Sequence, residues 1–128
     1  MKIFMIVDDS PVIRKVGRRL IEDMGLVVVE AVDSIDAVSQ CRDNMPDAVM
    51  VDWDLPDGSG LEVIREISHL PGSENCKLIY CTSELMVSEM TKAKRSGASG
   101  FIMKPFNRRV LADKLAQFGL IEEGRDAA

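Results

Sequence analysis

The chain has 128 residues, room for one ordinary domain and not for two. Twenty-one acidic against sixteen basic side chains leave a net charge of −5, which excludes the broad basic footprint of a nucleic-acid-binding domain. Hydrophobic residues at 46% and charged residues at 29% exclude intrinsic disorder and predict a packed fold.

The first apolar run, Ile3 to Val7, follows one lysine and stops at Asp8 and Asp9. It is strand-sized, too short for a signal-peptide core or a membrane span, so a cytoplasmic location with no membrane partner is expected. Ser10 is placed to cap a helix whose first turn holds Pro11, where a missing N–H costs nothing. The apolar stripe of that helix is read through Ile13, Val16 and Leu20, and Gly25 suits the left-handed position that ends it. Val27 to Val32 is the second strand-sized run, and a helix is predicted from the cap candidate Ser34 to about Asp43, before Asn44 and Pro46.

A third run, Ala48 to Val51, leads into a helix beginning near Ser59 or Gly60 with Leu61, Ile64 and Ile67 on one face. His69 to Asn75, with Pro71 and Gly72, is a predicted loop. Leu78 to Cys81 is the fourth run, followed by a helix from about Glu84 to Ser96 that stops at Gly97. Phe101 to Met103 is the fifth, followed by a helix from about Asn107 to Phe118. The domain is thus expected over residues 1–119, with 120–128 as a frayed C-terminal tail.

Near-continuous apolar runs, as opposed to strict alternation, mark strands buried on both faces of a parallel sheet. The expected class is α/β, a doubly wound five-stranded parallel sheet. Such sheets place their crevice outside the carboxyl ends of the strands. The residues there are Asp8 and Asp9, Asp52, Thr82 and Lys104. Two carboxylates at ~4 Å repel by about 4 kcal/mol at an effective dielectric near 20, so a cation is required among them. An all-oxygen ligand set that leaves room for water favours Mg²⁺ over zinc, and the one histidine, His69, lies in a loop. With a metal beside it, Asp52 has the makings of a nucleophile for a phosphoryl group, Lys104 supplies a point charge for the phosphoryl oxygens and Thr82 a hydroxyl donor. Backbone N–H groups from Trp53 onward and around Ser83 are candidate further donors.

Asp8-Asp9, Asp52-Trp53-Asp54-Leu55-Pro56 with Gly60, Thr82-Ser83 and Lys104-Pro105-Phe106, in this order and each at a strand end, resemble the receiver domain of two-component response regulators over about residues 2 to 118. The resemblance implies a flavodoxin-like (βα)5 fold with strand order 2-1-3-4-5. It implies that Asp52 accepts a phosphoryl group from a phosphohistidine on a sensor histidine kinase or a histidine phosphotransfer protein, as a step in signal transduction or a phosphorelay. Asp9 and Asp52 then contact Mg²⁺ directly, together with the main-chain carbonyl of Asp54, and Asp8 acts largely through water. Thr82 and Phe101 become the switch residues, and Pro105 occupies the family's cis-proline position.

Two departures stand out. Phe101 replaces the tyrosine of many receivers and offers a ring swing without a hydroxyl contact. Asp54 and Glu84 put two charges beside the path of a water attacking the phosphoryl group, to orient that water or to repel the dianion.

The expected function is a stand-alone switch, with no direct nucleic-acid contact, whose helix-four, strand-five and helix-five surface controls a protein partner, as a monomer and without separate substrate turnover. An aspartyl-phosphate phosphohydrolase and a vestigial receiver-like binding module are the alternatives. Leu85, Met86 and Val87 open helix four, and at least one is expected on the output face. Arg14, Lys15, Arg18 and Arg19 form either a docking face for an acidic phosphodonor or a solvated helix face. Trp53 borders the crevice, and Gly58-Ser59-Gly60 lacks the third glycine and the lysine of a nucleotide loop. Cys41, Cys76 and Cys81 have no metal or disulfide spacing and are read as small apolar residues.

Overall fold

Alternate residues of one strand point to opposite faces of a sheet, so a strand covered on both faces must be apolar throughout. The computed structural model, which describes residues 1–84 and 86–122, shows this arrangement. The strands β1 (Ile3–Val7), β2 (Val27–Ala31) and β3 (Ala48–Asp52) precede a two-residue hairpin, β4 (Asp54–Leu55) and β5 (Gly58–Ser59). Then come β6 (Lys77–Thr82) and β7 (Gly100–Met103). The helices are α1 (Pro11–Asp23), α2 (Ser34–Asp43), α3 (Gly60–Ser68), α4 (Val87–Ser96) and α5 (Arg108–Gln117), with a 3-10 turn at Ser73–Asn75.

The main sheet is parallel with order β2-β1-β3-β6-β7, which is 2-1-3-4-5 when its five strands are counted along the chain. Phe4 and Ile6 of β1, Met50 of β3 and Ile79 of β6 enter one layer with Ile21 of α1 and Leu111 and Leu115 of α5. Met5, Val7, Val49, Val51 and Leu78 enter the other, with Val38 of α2, Ile64 and Ile67 of α3 and Ala93 of α4. Each large side chain so buried contributes roughly 1.5–3 kcal/mol. The three cysteines are buried and unpaired, and burial pushes their thiols up, Cys41 to about 11 and Cys76 and Cys81 to about 12. No described helix is long and apolar enough to cross a membrane.

Four local expectations are corrected. The core line of α1 passes through Gly17 and Ile21, and Val16 is exposed. Gly17 lies so close to Ile6 and Phe106 that any Cβ there would press on Ile6 Cδ1, so the helix seats on its smallest residue. Helix α2 is capped by Asp33, whose side chain accepts the Asp36 N–H at 2.8 Å, and Ser34 is already helical. Helix α4 begins at Val87 and not near Glu84, because the Thr82 hydroxyl donates to the Glu84 carbonyl at 3.0 Å and accepts the Glu84 N–H at 3.2 Å, holding that residue in a bend. Met86 and Val87 are exposed. Leu85, and the part of the expected tail from 123 to 128, lie outside the described residues. Leu120 is buried, and its N–H bonds the Leu115 carbonyl.

The hairpin β4–β5 has no strand-length apolar run to mark it in the sequence, although Pro56-Asp57-Gly58 is a turn signal. It folds the chain back so that the Gly60 N–H bonds the Trp53 carbonyl at 3.0 Å. A Cβ on Gly60 would fall inside van der Waals contact with the main-chain carbonyl of Asp52. Backbone cannot yield as a flexible side chain does. Gly60→Ala is therefore expected to lower the urea midpoint by the equivalent of about 2 kcal/mol; a wild-type midpoint would contradict this packing.

Candidate functional site

The sheet ladder continues one residue past several strand ends and fixes the backbone of the polar residues there. The Asp8 N–H bonds the Ala31 carbonyl at 3.2 Å, the Trp53 N–H the Cys81 carbonyl at 2.9 Å, and the Lys104 N–H the Thr82 carbonyl at 2.8 Å. Asp8, Asp52 and Thr82 are only 3%, 5% and 7% exposed, while Asp9 is open to solvent. One carboxylate oxygen from each of Asp8, Asp9 and Asp52 lies within 4.8 Å of the other two. At that separation a pair of carboxylates repels by roughly 3–4 kcal/mol at an effective dielectric near 20.

Lys104 answers this repulsion. Its ammonium is 2.8 Å from Asp52 Oδ1 and 3.2 Å from Asp8 Oδ2. The contact to Asp8 is a hydrogen bond, whereas that to Asp52 is an ion pair without hydrogen-bond angles, leaving Asp52 Oδ1 buried with no hydrogen-bond donor. Burial pushes the Asp52 carboxyl up, Lys104 pulls it back, and Asp8 and Asp9 push it further, so it ends above the ordinary aspartate value. Burial works against the Lys104 ammonium, but its two carboxylate partners outweigh this and hold it above the usual lysine value.

The oxygens differ in what they already hold. Asp8 Oδ1 accepts the Ser10 N–H at 2.9 Å and Oδ2 the lysine, so both are engaged. Asp9 makes no hydrogen bond among the described residues, and Asp52 Oδ1 lacks a donor. Hard oxygen ligands around a buried oxygen without a donor fit a small divalent cation such as Mg²⁺.

The remaining predicted residues lie around this cluster. The Thr82 hydroxyl is turned onto Glu84. Asp54 and Glu84 are exposed and line one cleft with Trp53. Phe101 is half-buried and packs against the layer that contains Val51, Leu55 and Tyr80. The Lys104–Pro105 peptide is cis. The Trp53 N–H, a candidate donor in the sequence, is consumed by Cys81.

The helix-one basic residues do not form one free surface. Arg14 donates from Nε to Glu30 at 2.9 Å and from Nη1 to the Asp8 carbonyl at 2.8 Å, and Arg18 pairs with both Glu22 and Glu30. Hydrogen bonding to Arg18 is the main reason that the Glu30 carboxyl sits below its ordinary value. Arg14 is thus a strut beneath Asp8, a role invisible in the chain because Glu30 comes from the neighbouring strand. A second unpredicted strut is Asp57, whose carboxylate accepts the N–H groups of Ser34 and Ile35 at 3.0 and 3.2 Å and ties the hairpin to the start of α2.

Comparison with known proteins gives one answer. Residues 4–116 match the family model described as the response regulator receiver domain. The chemotaxis protein CheY of Halobacterium salinarum is 32% identical over 112 residues, which span 88% of this chain and 92% of that protein. The structure of Vibrio cholerae CheY4 superposes with a TM-score of 0.88 at 25% identity, covering 92% of this chain and 98% of the other. The receiver domain of the Pseudomonas aeruginosa sensor histidine kinase PA1611 superposes with a TM-score of 0.83 at 25% identity, covering 91% and 96% respectively. That structure carries a magnesium ion coordinated in its active site cleft. The family-model match along most of its length, together with a relative 32% identical over nearly the whole chain, places this chain in the response regulator receiver family of two-component signalling.

Proposed function

We propose that Asp52 is the phosphoacceptor of a signalling switch that takes its phosphoryl group from a phosphohistidine on a sensor histidine kinase or histidine phosphotransfer protein. The observation that carries this reading is a buried carboxylate, Asp52, with an oxygen lacking a hydrogen-bond donor between Lys104 and two further aspartates. An Asp52 oxygen forms the new P–O bond as the P–N bond to the donor imidazole breaks, and the imidazole keeps the electron pair of that bond. Lys104 meets the phosphoryl oxygens as a fixed charge, already held at the right strand end.

Asp9 and Asp52 are the direct metal ligands, joined by the Asp54 carbonyl, whose residue is fixed by pairing with Ser59 in the hairpin. Asp8, with both oxygens engaged, acts through water. Bound Mg²⁺ supplies charge neutralisation for the carboxylates and the transferring group. Asp54 and Glu84, open at the rim, set the lifetime of the acyl phosphate by acting on the attacking water.

The switch begins at Thr82. Phosphorylation adds about −1.5 to −2 charges beside it, and its hydroxyl then exchanges the Glu84 carbonyl for a phosphoryl oxygen. That exchange releases the bend before α4 and makes room for Phe101, reshaping the surface of α4, β7 and α5 for a protein target. Exposed Met86 and Val87 at the start of α4, and Met103 at the end of β7, give this surface apolar contacts.

Incubation with Mg²⁺ and acetyl phosphate, followed by intact-mass measurement, tests the acceptor. One phosphoryl group per chain is expected on the wild type, none on Asp52→Asn and none with EDTA present. Equal labelling of Asp52→Asn, or steady turnover of phosphate esters, would remove the proposal. Lys104→Ala takes away the only cation contacting the carboxylates of Asp8 and Asp52 among the described residues. It is expected to bind Mg²⁺ about tenfold more tightly by calorimetry and yet to be phosphorylated more slowly, a pattern that unaltered metal affinity would contradict. Thr82→Ala should accept phosphate on Asp52 and lose most of the partner response, and equal partner binding by the two phosphorylated proteins would exclude the hydroxyl exchange.

A further inference from the structure

Beside the acidic cluster, the β4–β5 hairpin together with Ser83, Glu84 and Met86 lines a cleft of about 700 Å³. Part of its lining is apolar: Leu55 is buried in the core, whereas Trp53 is 45% and Met86 53% exposed to solvent. Three carboxylates, those of Asp54, Glu84 and Glu89, share this lining, and no lysine or arginine does. An aromatic face, an apolar wall and three carboxylates, of which only Glu89 has a cation beside it among the described residues, Lys92 at 3.6 Å, together describe an occupant that is cationic, planar and weakly hydrated.

Tyr80 adds an independent sign that something polar belongs there. It is the only tyrosine of the chain, it lines the cleft at 3% exposure, and its hydroxyl makes no hydrogen bond among the described residues. The hydroxyl is not sealed off as Asp52 Oδ1 is, so it meets solvent in this cleft, where a polar group of a ligand would replace that solvent. Burial first, then the charges of Glu89 and Asp52, push this phenol up to about 12, and it stays neutral through the physiological range. A neutral phenol oxygen is an acceptor for an N–H group.

We infer that this cleft docks an arginine side chain carried on an apolar segment of a protein partner. A guanidinium stacks on the indole of Trp53, donates in a fork to carboxylates and reaches the Tyr80 oxygen with a remaining N–H, and it gives up its hydration more readily than an ammonium. The apolar wall then receives the neighbouring side chains of the segment. Anionic lipid and nucleic acid are repelled by the same three carboxylates. This site adjoins the phosphoryl site and shares Thr82, Asp54 and Glu84 with it, so its test uses the unphosphorylated chain and substitutions at Tyr80 and Glu89, which have no part in the proposed acceptor chemistry.

Trp53 is the only tryptophan and serves as a built-in reporter. The probes are acetyl-Leu-Arg-Leu-amide, its glutamine counterpart acetyl-Leu-Gln-Leu-amide and free benzylguanidinium, followed by Trp53 fluorescence and by amide ¹H–¹⁵N shifts. The arginine peptide is expected to give saturable changes centred on Leu55, Ser59 and Glu89, at least about tenfold tighter than either other probe. Tyr80→Phe and Glu89→Gln should each weaken it by about fivefold or more while their spectra remain those of a folded chain. Equal binding of the glutamine peptide, shifts on another face, or indifference to both substitutions would overturn the site. Benzylguanidinium binding as tightly as the peptide would overturn the assignment to a protein segment.

Discussion

Everything at this site follows from one ammonium group held between two buried carboxylates. Lys104 contacts both Asp8 and Asp52, side chains from strands that are far apart in the chain and adjacent in the sheet. Burying three charges is costly, and a pair in such surroundings is weak evidence for stability in itself. The cost is met by the rest of the fold, through two apolar layers and a ladder of main-chain hydrogen bonds that leave the three groups no other place to go. The ammonium compensates one of the three negative charges of the cluster, and the remaining two match a divalent cation. A carboxylate that is buried, partly compensated and short of a donor is poised to gain from a metal and from a phosphoryl group.

The same cluster is wired to its surroundings by polar struts. Arg14 holds the Asp8 carbonyl and is itself held by Glu30, so α1 and β2 support the first strand end. Asp57 joins the hairpin after Asp52 to the first turn of α2. Thr82 binds Glu84 through both its donor and acceptor capacity, which sets where α4 begins. The cluster is therefore flanked on three sides by short hydrogen-bonded paths. Of these, the Thr82 path leads to the exposed start of α4, where apolar side chains face solvent.

The architecture was legible because its signals are local. Five apolar runs of strand length, separated by helical patterns, dictate a parallel sheet covered on both faces, and the observed strands begin and end within a residue or so of those runs. Asp8, Asp9, Asp52, Thr82 and Lys104 stand where each run stops, so the sheet alone brings them to one rim. The misreadings have a common cause. Val16 is apolar and was read as core, but the helix seats on Gly17, since close approach to Ile6 and Phe106 matters more there than hydropathy. The start of α4 was drawn too early because a helical pattern carries no trace of a threonine hydroxyl competing for the backbone of Glu84.

What the sequence determined by itself is the class of fold, the order of the polar strand ends and the chemical types gathered at the crevice, because periodicity and chain order are properties of the chain. Only the tertiary structure decided which oxygens of the cluster are occupied, which basic residues of α1 are already paired, that Tyr80 lines a cleft with no hydrogen bond from its hydroxyl among the described residues, and that this cleft opens beside Trp53. Those facts depend on distances between residues tens of positions apart, and such distances are set by packing and not by any local pattern.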